Sequence, residues 1–145
     1  MNTKAIKLPR FGGWPRRKPA KPDEVMVKTR ILIADDEDGV RESLKLVLKP
    51  AYELTFAKHG QEAIRHLQQQ RFGLLLLDVK MPKADGIEVL RWVRRHRAKM
   101  PVLMLTAYQS VEVAKAAIKL GAVNYVPKPF ERAQVLRAVR DALGA

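Results

Sequence analysis

Aliphatic runs alternate along this chain with segments whose apolar residues recur every three or four positions. Arg30-Ile31-Leu32-Ile33-Ala34, Phe72-Gly73-Leu74-Leu75-Leu76-Leu77 and Pro101-Val102-Leu103-Met104-Leu105 are almost unbroken apolar runs of strand length, and Ala122-Val123-Asn124-Tyr125-Val126 is a fourth, more mixed one. Runs without polar interruption fit strands covered on both faces, the situation of a parallel sheet. Another stretch does alternate: Tyr52, Leu54 and Phe56 face one way and Glu53 and Thr55 the other, a pattern that suits a sheet edge.

Between these runs the period changes to that of a helix. Val40, Leu44, Val47 and Leu48 predict a first helix stopped by Pro50, and Gly60 opens a second with Ala63, Ile64 and Leu67 inward. A third, from about Asp85 to Arg97, is predicted on Ile87, Leu90 and Val93. A fourth, from about Ser110 to Leu120, is predicted on Val113, Ala114, Ala117 and Ile118, with Ser110 as N-cap, Glu112 favoured by the helix dipole and Gly121 as the stop. A last helix, Glu131 to Leu143, presents Val135, Leu136, Val139 and Leu143. Five strands and five helices in strict alternation predict an α/β fold, a doubly wound parallel sheet with helices on both faces.

Composition narrows the classes. The chain has 145 residues, enough for one domain and a tail, and 47% of them are hydrophobic. It has no cysteine, which removes disulfides, thiolate catalysis and cysteine-ligated metals. No segment has the roughly 18–20 apolar residues of a membrane span, and no signal-peptide pattern follows the basic N-terminus, so the expected location is the cytoplasm. The formal charge is +13, and it is densest in residues 1–29, which hold eight Lys/Arg against two Asp/Glu. That stretch, with Pro9, Pro15, Pro19, Pro22 and Gly12-Gly13, reads as a flexible extension to a domain of residues 30–145. Phe11 and Trp14 among its cations could touch nucleic acid or another acidic surface, although a solvated tail is the more ordinary reading. The run Arg91, Arg94, Arg95, Arg97 and Lys99, with Trp92 and His96 interspersed, is read as a solvated helix face for the same reason.

The ends of the strands hold the chemistry. The first run leads into Asp35-Asp36 and then Glu37 and Asp38, the Leu run into Asp78, the next into Thr106, and the mixed one into Pro127-Lys128-Pro129-Phe130. In a parallel sheet these residues share one rim, where ligands collect. Three carboxylates, a hydroxyl and an ammonium there can hold a divalent cation and a phosphoryl group together. Taken singly, an aspartate after a strand is usually a cap or turn residue, and a Thr-Ala or Pro-Lys-Pro is uninformative.

In this order the residues carry a resemblance. The pair Asp35-Asp36, Asp78 followed by Val-Lys-Met-Pro and Gly86, Thr106-Ala107, and Tyr-Val-Pro-Lys-Pro-Phe at 125–130 resemble the receiver domain of two-component response regulators, from Arg30 to Ala145. The resemblance implies the flavodoxin-like sheet order 2-1-3-4-5. It also implies that Asp78 accepts a phosphoryl group from a histidine kinase, a phosphotransfer protein or a small acyl phosphate, with Thr106 and Lys128 contacting the phosphoryl oxygens. Mg²⁺ would be held by Asp36 and Asp78, by Asp35 through water, and by the Lys80 backbone carbonyl. A cis Lys128–Pro129 bond is implied as well. Thr106 and Tyr125 would form the switch, remodelling the face of the fourth helix, fifth strand and fifth helix, through which such domains also pair. Lys80 and Tyr108, two residues beyond Asp78 and Thr106, would crowd hydrolytic water and slow dephosphorylation.

Two other classes compete with a switch acting through protein contacts. One is the regulatory part of a DNA-binding transcriptional regulator, though no helix-turn-helix is present in this sequence. The other is an aspartate-nucleophile phosphohydrolase, which needs a second carboxylate two residues after the nucleophile, where this chain has Lys80. The expected catalysis is therefore confined to the domain's own phosphorylation and dephosphorylation.

Overall fold

The structure, a computed structural model, describes residues 27–144 except 82, 84 and 108–110. The expectations for residues 1–26, for Tyr108 and for a Ser110 cap fall outside the described residues. The elements follow in the order β1 (Arg30–Ala34), α1 (Asp38–Leu48), β2 (Glu53–Ala57), α2 (Gly60–Gln69), β3 (Leu74–Asp78), α3 (Gly86–His96), β4 (Val102–Ala107), α4 (Val111–Lys119), β5 (Asn124–Lys128) and α5 (Arg132–Ala142). All pairings are parallel, and the sheet order is β2-β1-β3-β4-β5.

The aliphatic runs explain the layering. Every residue of β3 is buried, because α1 and α5 cover one face of the sheet and α2 to α4 the other. Ile31, Ile33, Leu74, Leu76, Leu103 and Leu105 point into the first layer with Leu44 and Val135, while Leu32, Leu75, Leu77 and Met104 point into the second with Leu67 and Leu90. This two-sided burial is what an uninterrupted apolar strand encodes. The alternating strand is an edge, as its pattern predicts.

Three details depart from the sequence reading. The fifth strand begins two residues late, because Gly121 at φ 104° and the Ala122 amide, donating to the Ala117 carbonyl, complete the end of α4 first. The strand then accommodates Pro127, which is tolerated at an edge. In α3 Val89 joins the expected Leu90 and Val93 in full burial while Ile87 is only partly buried, and in α4 Ile118 is 39% exposed, since its 100° step from Ala117 turns it off the sheet.

The basic end of α3 is divided in use. Arg94 donates to the carbonyls of Ala98 and Met100, and Arg97 to that of Leu67 at the end of α2, while Trp92 stacks on His96 at 4.3 Å. These guanidiniums close helix C-termini, where the dipole favours a cation.

Gly86 ties α3 to the strand that bears Asp78. Its amide donates to the Val79 carbonyl at 3.0 Å, and a Cβ there would run into the Asp78 carbonyl oxygen and stand 2.9 Å from both Val79 Cα and its oxygen. All three are backbone atoms, so relief requires the β3–α3 connection to move. Gly86→Ala is expected to cost about 1–3 kcal/mol, read as a lower denaturation midpoint at unchanged m. An unchanged midpoint would show that the loop yields freely.

Candidate functional site

The C-terminal rim of the sheet brings together most of the residues singled out by sequence. Asp35 follows β1 and is fully buried, Asp78 ends β3 at 6% exposure, and Thr106 in β4 is 1% exposed. Lys128 ends β5, and its long side chain crosses beneath the rim toward β1. The Lys128–Pro129 peptide is cis.

Lys128 is the hub. Its Nζ lies 2.7 Å from Asp35 Oδ2, 2.9 Å from Glu37 Oε1 and 3.5 Å from Asp78 Oδ2. Asp35 Oδ1 accepts the Glu37 amide at 2.9 Å, and Asp78 Oδ1 accepts the Lys80 amide at 3.3 Å. Asp35 Oδ2 is buried, and the Lys128 ammonium at 2.7 Å is the cation that holds it. Below it, Arg41 of α1 is buried and donates to the Asp35 carbonyl at 2.7 Å, anchoring the acidic turn to the helix that follows.

Burial governs the electrostatics. It pushes the Asp78 carboxyl up from 3.8 to about 7, and the nearby Asp35 carboxylate adds to that, against the pull of Lys128. Asp35 is also raised, again chiefly by burial, with Lys128 and the Glu37 amide opposing. Burial pulls the Lys128 ammonium down, but its bonds to Asp35 and Glu37 and the charge of Asp78 more than offset this, and the net shift is upward. Carboxyls held above their ordinary range are a mark of a working site when a specific charge partner accompanies them.

Among the described residues, the carboxylate oxygens that lie within 4.8 Å of one another belong to Asp35, Glu37 and Asp78. The sequence reading named Asp36 for direct ligation. Asp36 is exposed and stands outside this group, which includes Glu37. Glu37 had no signal beyond its position in an acidic run, because its approach to Lys128 spans 91 residues of sequence. The hard carboxylate oxygens of Asp35, Glu37 and Asp78 are of the kind that suits a divalent cation such as Mg²⁺.

Of the switch residues, Thr106 Oγ1 donates to the Ala107 carbonyl at 3.2 Å, and Tyr125 is half-buried against the α2–α4 side of the core. Val111, Ile118 and Val123 expose apolar surface on α4 and before β5. No helix among the described residues is long and apolar enough to cross a membrane.

The comparisons with known proteins agree with this geometry. A family model described as the response regulator receiver domain matches residues 31–140. The chain is 40% identical over 118 residues to response regulator MprA of Mycobacterium ulcerans, covering 81% of this chain and 51% of that protein. It is 38% identical over 115 residues to regulatory protein AtoC of Escherichia coli K12, covering 79% of this chain and 25% of that one. It thus spans about half of one curated relative and a quarter of the other. Among solved structures, the chemotaxis response regulator CheY4 of Vibrio cholerae superposes with a TM-score of 0.75 at 29% identity, covering 80% of this chain and 99% of that one.

Proposed function

Because the chain belongs to the response regulator receiver domain family of two-component systems, we propose that it is a phosphorylation-driven switch whose acceptor is Asp78. The observation that supports this most is the placement of Asp78. It is a nearly buried carboxylate at the end of the central strand, with an ammonium and a second carboxylate converging on it.

An Asp78 carboxylate oxygen attacks the phosphorus of a phosphohistidine or a small acyl phosphate. The bond from phosphorus to the donor's nitrogen or oxygen breaks, and an acyl phosphate forms on the protein. Only the ionised carboxylate is nucleophilic, so a carboxyl held near 7 reacts better as positive charge gathers around it. Lys128 supplies one such charge, and to reach a phosphoryl oxygen it exchanges part of its hold on Asp35 and Glu37. Thr106, in the neighbouring strand, would donate its hydroxyl to the same group in exchange for its bond to the Ala107 carbonyl. Asp35, Glu37 and Asp78 would hold Mg²⁺, which would supply further neutralisation of the charge at the site. The direct Asp36 ligation and the Lys80 carbonyl implied by the resemblance remain alternatives within the same rim.

The output side follows from the same chemistry. Added negative charge at Asp78 draws Thr106 inward and lets Tyr125 move deeper, changing the face of α4, β5 and α5, where Ile118 and Val123 already offer apolar surface to a partner or a second copy. The upstream partner is a histidine kinase or phosphotransfer protein, the cell compartment is the cytoplasm, and residues 1–29 are an extension to a receiver unit of residues 30–145. The length of the relatives favours a second reading, in which the unit governs an output domain such as a DNA-binding one. The sequence of the complete gene distinguishes the two.

Incubation with Mg²⁺ and a small acyl phosphate tests the proposal. Acid-labile phosphate should appear on the protein and be absent when EDTA is added. Its decay should be slow, and Lys80→Ala with Tyr108→Ala should speed it by roughly tenfold if the two side chains exclude water. A double variant that decays no faster removes that role, and wild-type protein that stays unlabelled with both acyl phosphate and a kinase removes the acceptor role.

A further inference from the structure

The outer edge of the sheet, remote from Asp78, has features that the switch does not use. Between the C-terminal half of α1 and β2 lies a groove of about 700 Å³. Tyr52, Leu54 and Phe56 form its floor, all partly buried against the α1 and α5 side of the core. Its rim carries Lys28, Arg30, Lys45 and Lys49 against a single carboxylate, Glu53, which Arg30 already pairs at 3.4 Å. Lys28 closes one end by donating to the Lys49 carbonyl at 3.4 Å. The lysines also border a second hollow of about 580 Å³ that reaches Pro50, the 75%-exposed Leu46 and one further carboxylate, Glu42.

The backbone adds an independent observation. The Glu53 amide donates to the Thr29 carbonyl and the Ala57 carbonyl accepts the Asp35 amide, so odd-numbered residues of β2 bond to β1. In a parallel ladder the residues between them turn their groups the other way. The N–H and C=O of Leu54 and Phe56 therefore face outward, where β2 has no neighbouring strand. Leu54 and Phe56, whose side chains form most of the groove floor, thus have their backbone available beside it, whereas the Tyr52 amide already donates to the Leu48 carbonyl.

We infer that this groove and edge form a docking site for an extended peptide segment that alternates acidic and apolar residues, added as a further strand beside β2. Backbone pairing would supply affinity, the apolar side chains would meet Leu54 and Phe56, and the carboxylates would meet the rim. Charge selects this occupant over others. The stretch that precedes the rim, with seven Lys/Arg against two Asp/Glu in residues 1–26, is repelled by it, as is a second copy of a chain of charge +13. Nucleic acid shares the charge and its phosphates can accept from a backbone N–H, but it does not offer the alternating amides and carbonyls that pair with an entire strand edge.

The probe is a blocked, fluorescein-labelled Glu-Val-Glu-Leu-Glu-Val-Glu peptide titrated into the full chain in low salt. Anisotropy should show binding at least about tenfold tighter than that of the matching Lys-Val-Lys-Leu-Lys-Val-Lys peptide, falling steeply with salt. Lys45→Gln with Lys49→Gln, both exposed and leaving the helix dipole unopposed rather than reversed, should weaken it by about tenfold. Alternate N-methylation of the peptide backbone should abolish it, and the Leu54 and Phe56 amides should become protected from hydrogen exchange on binding. Undiminished binding of the N-methylated peptide, unprotected Leu54 and Phe56 amides, tighter binding of oligo-dT, or a dimer that persists in the Lys→Gln variant would each overturn the assignment.

Discussion

Asp78→Asn is expected to abolish uptake of acid-labile phosphate and, in metal-free buffer at pH 7.5, to unfold at a higher temperature than wild type. Both effects come from one carboxyl. The side chain is nearly buried beside the Asp35 carboxylate, and its pKa rises from 3.8 to about 7 on folding. A rise of that size corresponds to at most ~4 kcal/mol of ionisation cost at high pH, and coupling to Asp35 and Lys128 brings the expected gain from Asn to about 1–2 kcal/mol. The sign follows from the raised folded-state pKa. The group's contribution is fully favourable below 3.8, where it is protonated in both states, and it is lost as pH rises through about 7. Between pH 5 and 8 the wild type should therefore lose stability more steeply than the variant. Mg²⁺ should narrow or invert the difference, because it stabilises the form that has the carboxylate. Thermal unfolding of both proteins across that range, with and without Mg²⁺, checks the claim. A variant less stable than wild type at pH 7.5 would mean that the Asp78 contacts outweigh its desolvation.

That opposition also explains what the sequence could disclose. An unbroken aliphatic run ending in a carboxylate is legible, because two-sided burial of a strand and exposure of its end are local consequences of pattern. Asp35, Asp78, Thr106 and Lys128 could be placed on one rim for that reason, and the sheet order came with the family resemblance. Glu37 could not be singled out. Its link to Lys128 depends on a side chain reaching from the edge strand β5 past β4 and β3 to β1, a distance that no periodicity records. Arg41 was hidden similarly: it lies in a helix of charged residues, yet its guanidinium is buried because the Asp35 carbonyl needs a donor there. The stripes of α3 and α4 held apart from their outermost positions, Ile87 and Ile118, and the late start of β5 arose where Gly121 lets the backbone, rather than the apolar run, set the end of α4. The arginines of α3 show the converse, a conspicuous sequence run partly spent on closing helix ends.

Lys128→Met should be the most destabilising single change at the site, by about 3–5 kcal/mol at pH 8 without metal, because it leaves a buried carboxylate with its charge uncompensated. Asp35 is fully buried and Lys128 is the cation at its Oδ2 among the described residues, whereas Glu37 is exposed and can hydrate. Methionine fills the space of the lysine stem, so packing changes little and the lost charge dominates. Asp35 is already raised by burial, and Lys128 is the chief influence lowering it, so removing Lys128 moves it further up. Protonation then offers a partial escape. The variant's deficit should be smallest near pH 5 and widen toward pH 8, since a group with a raised folded-state pKa loses its favourable contribution as pH climbs through that value. Lys128 itself stays charged across this range, its own shift being upward, so the widening belongs to the carboxylates. Mg²⁺ at millimolar concentration should restore much of the loss by replacing the missing positive charge among Asp35, Glu37 and Asp78. Denaturant titrations at pH 5, 6.5 and 8, each with Mg²⁺ or EDTA, separate the possibilities. A deficit that is constant with pH and indifferent to Mg²⁺ would reduce Lys128 to a packing residue and detach it from the chemistry of the rim.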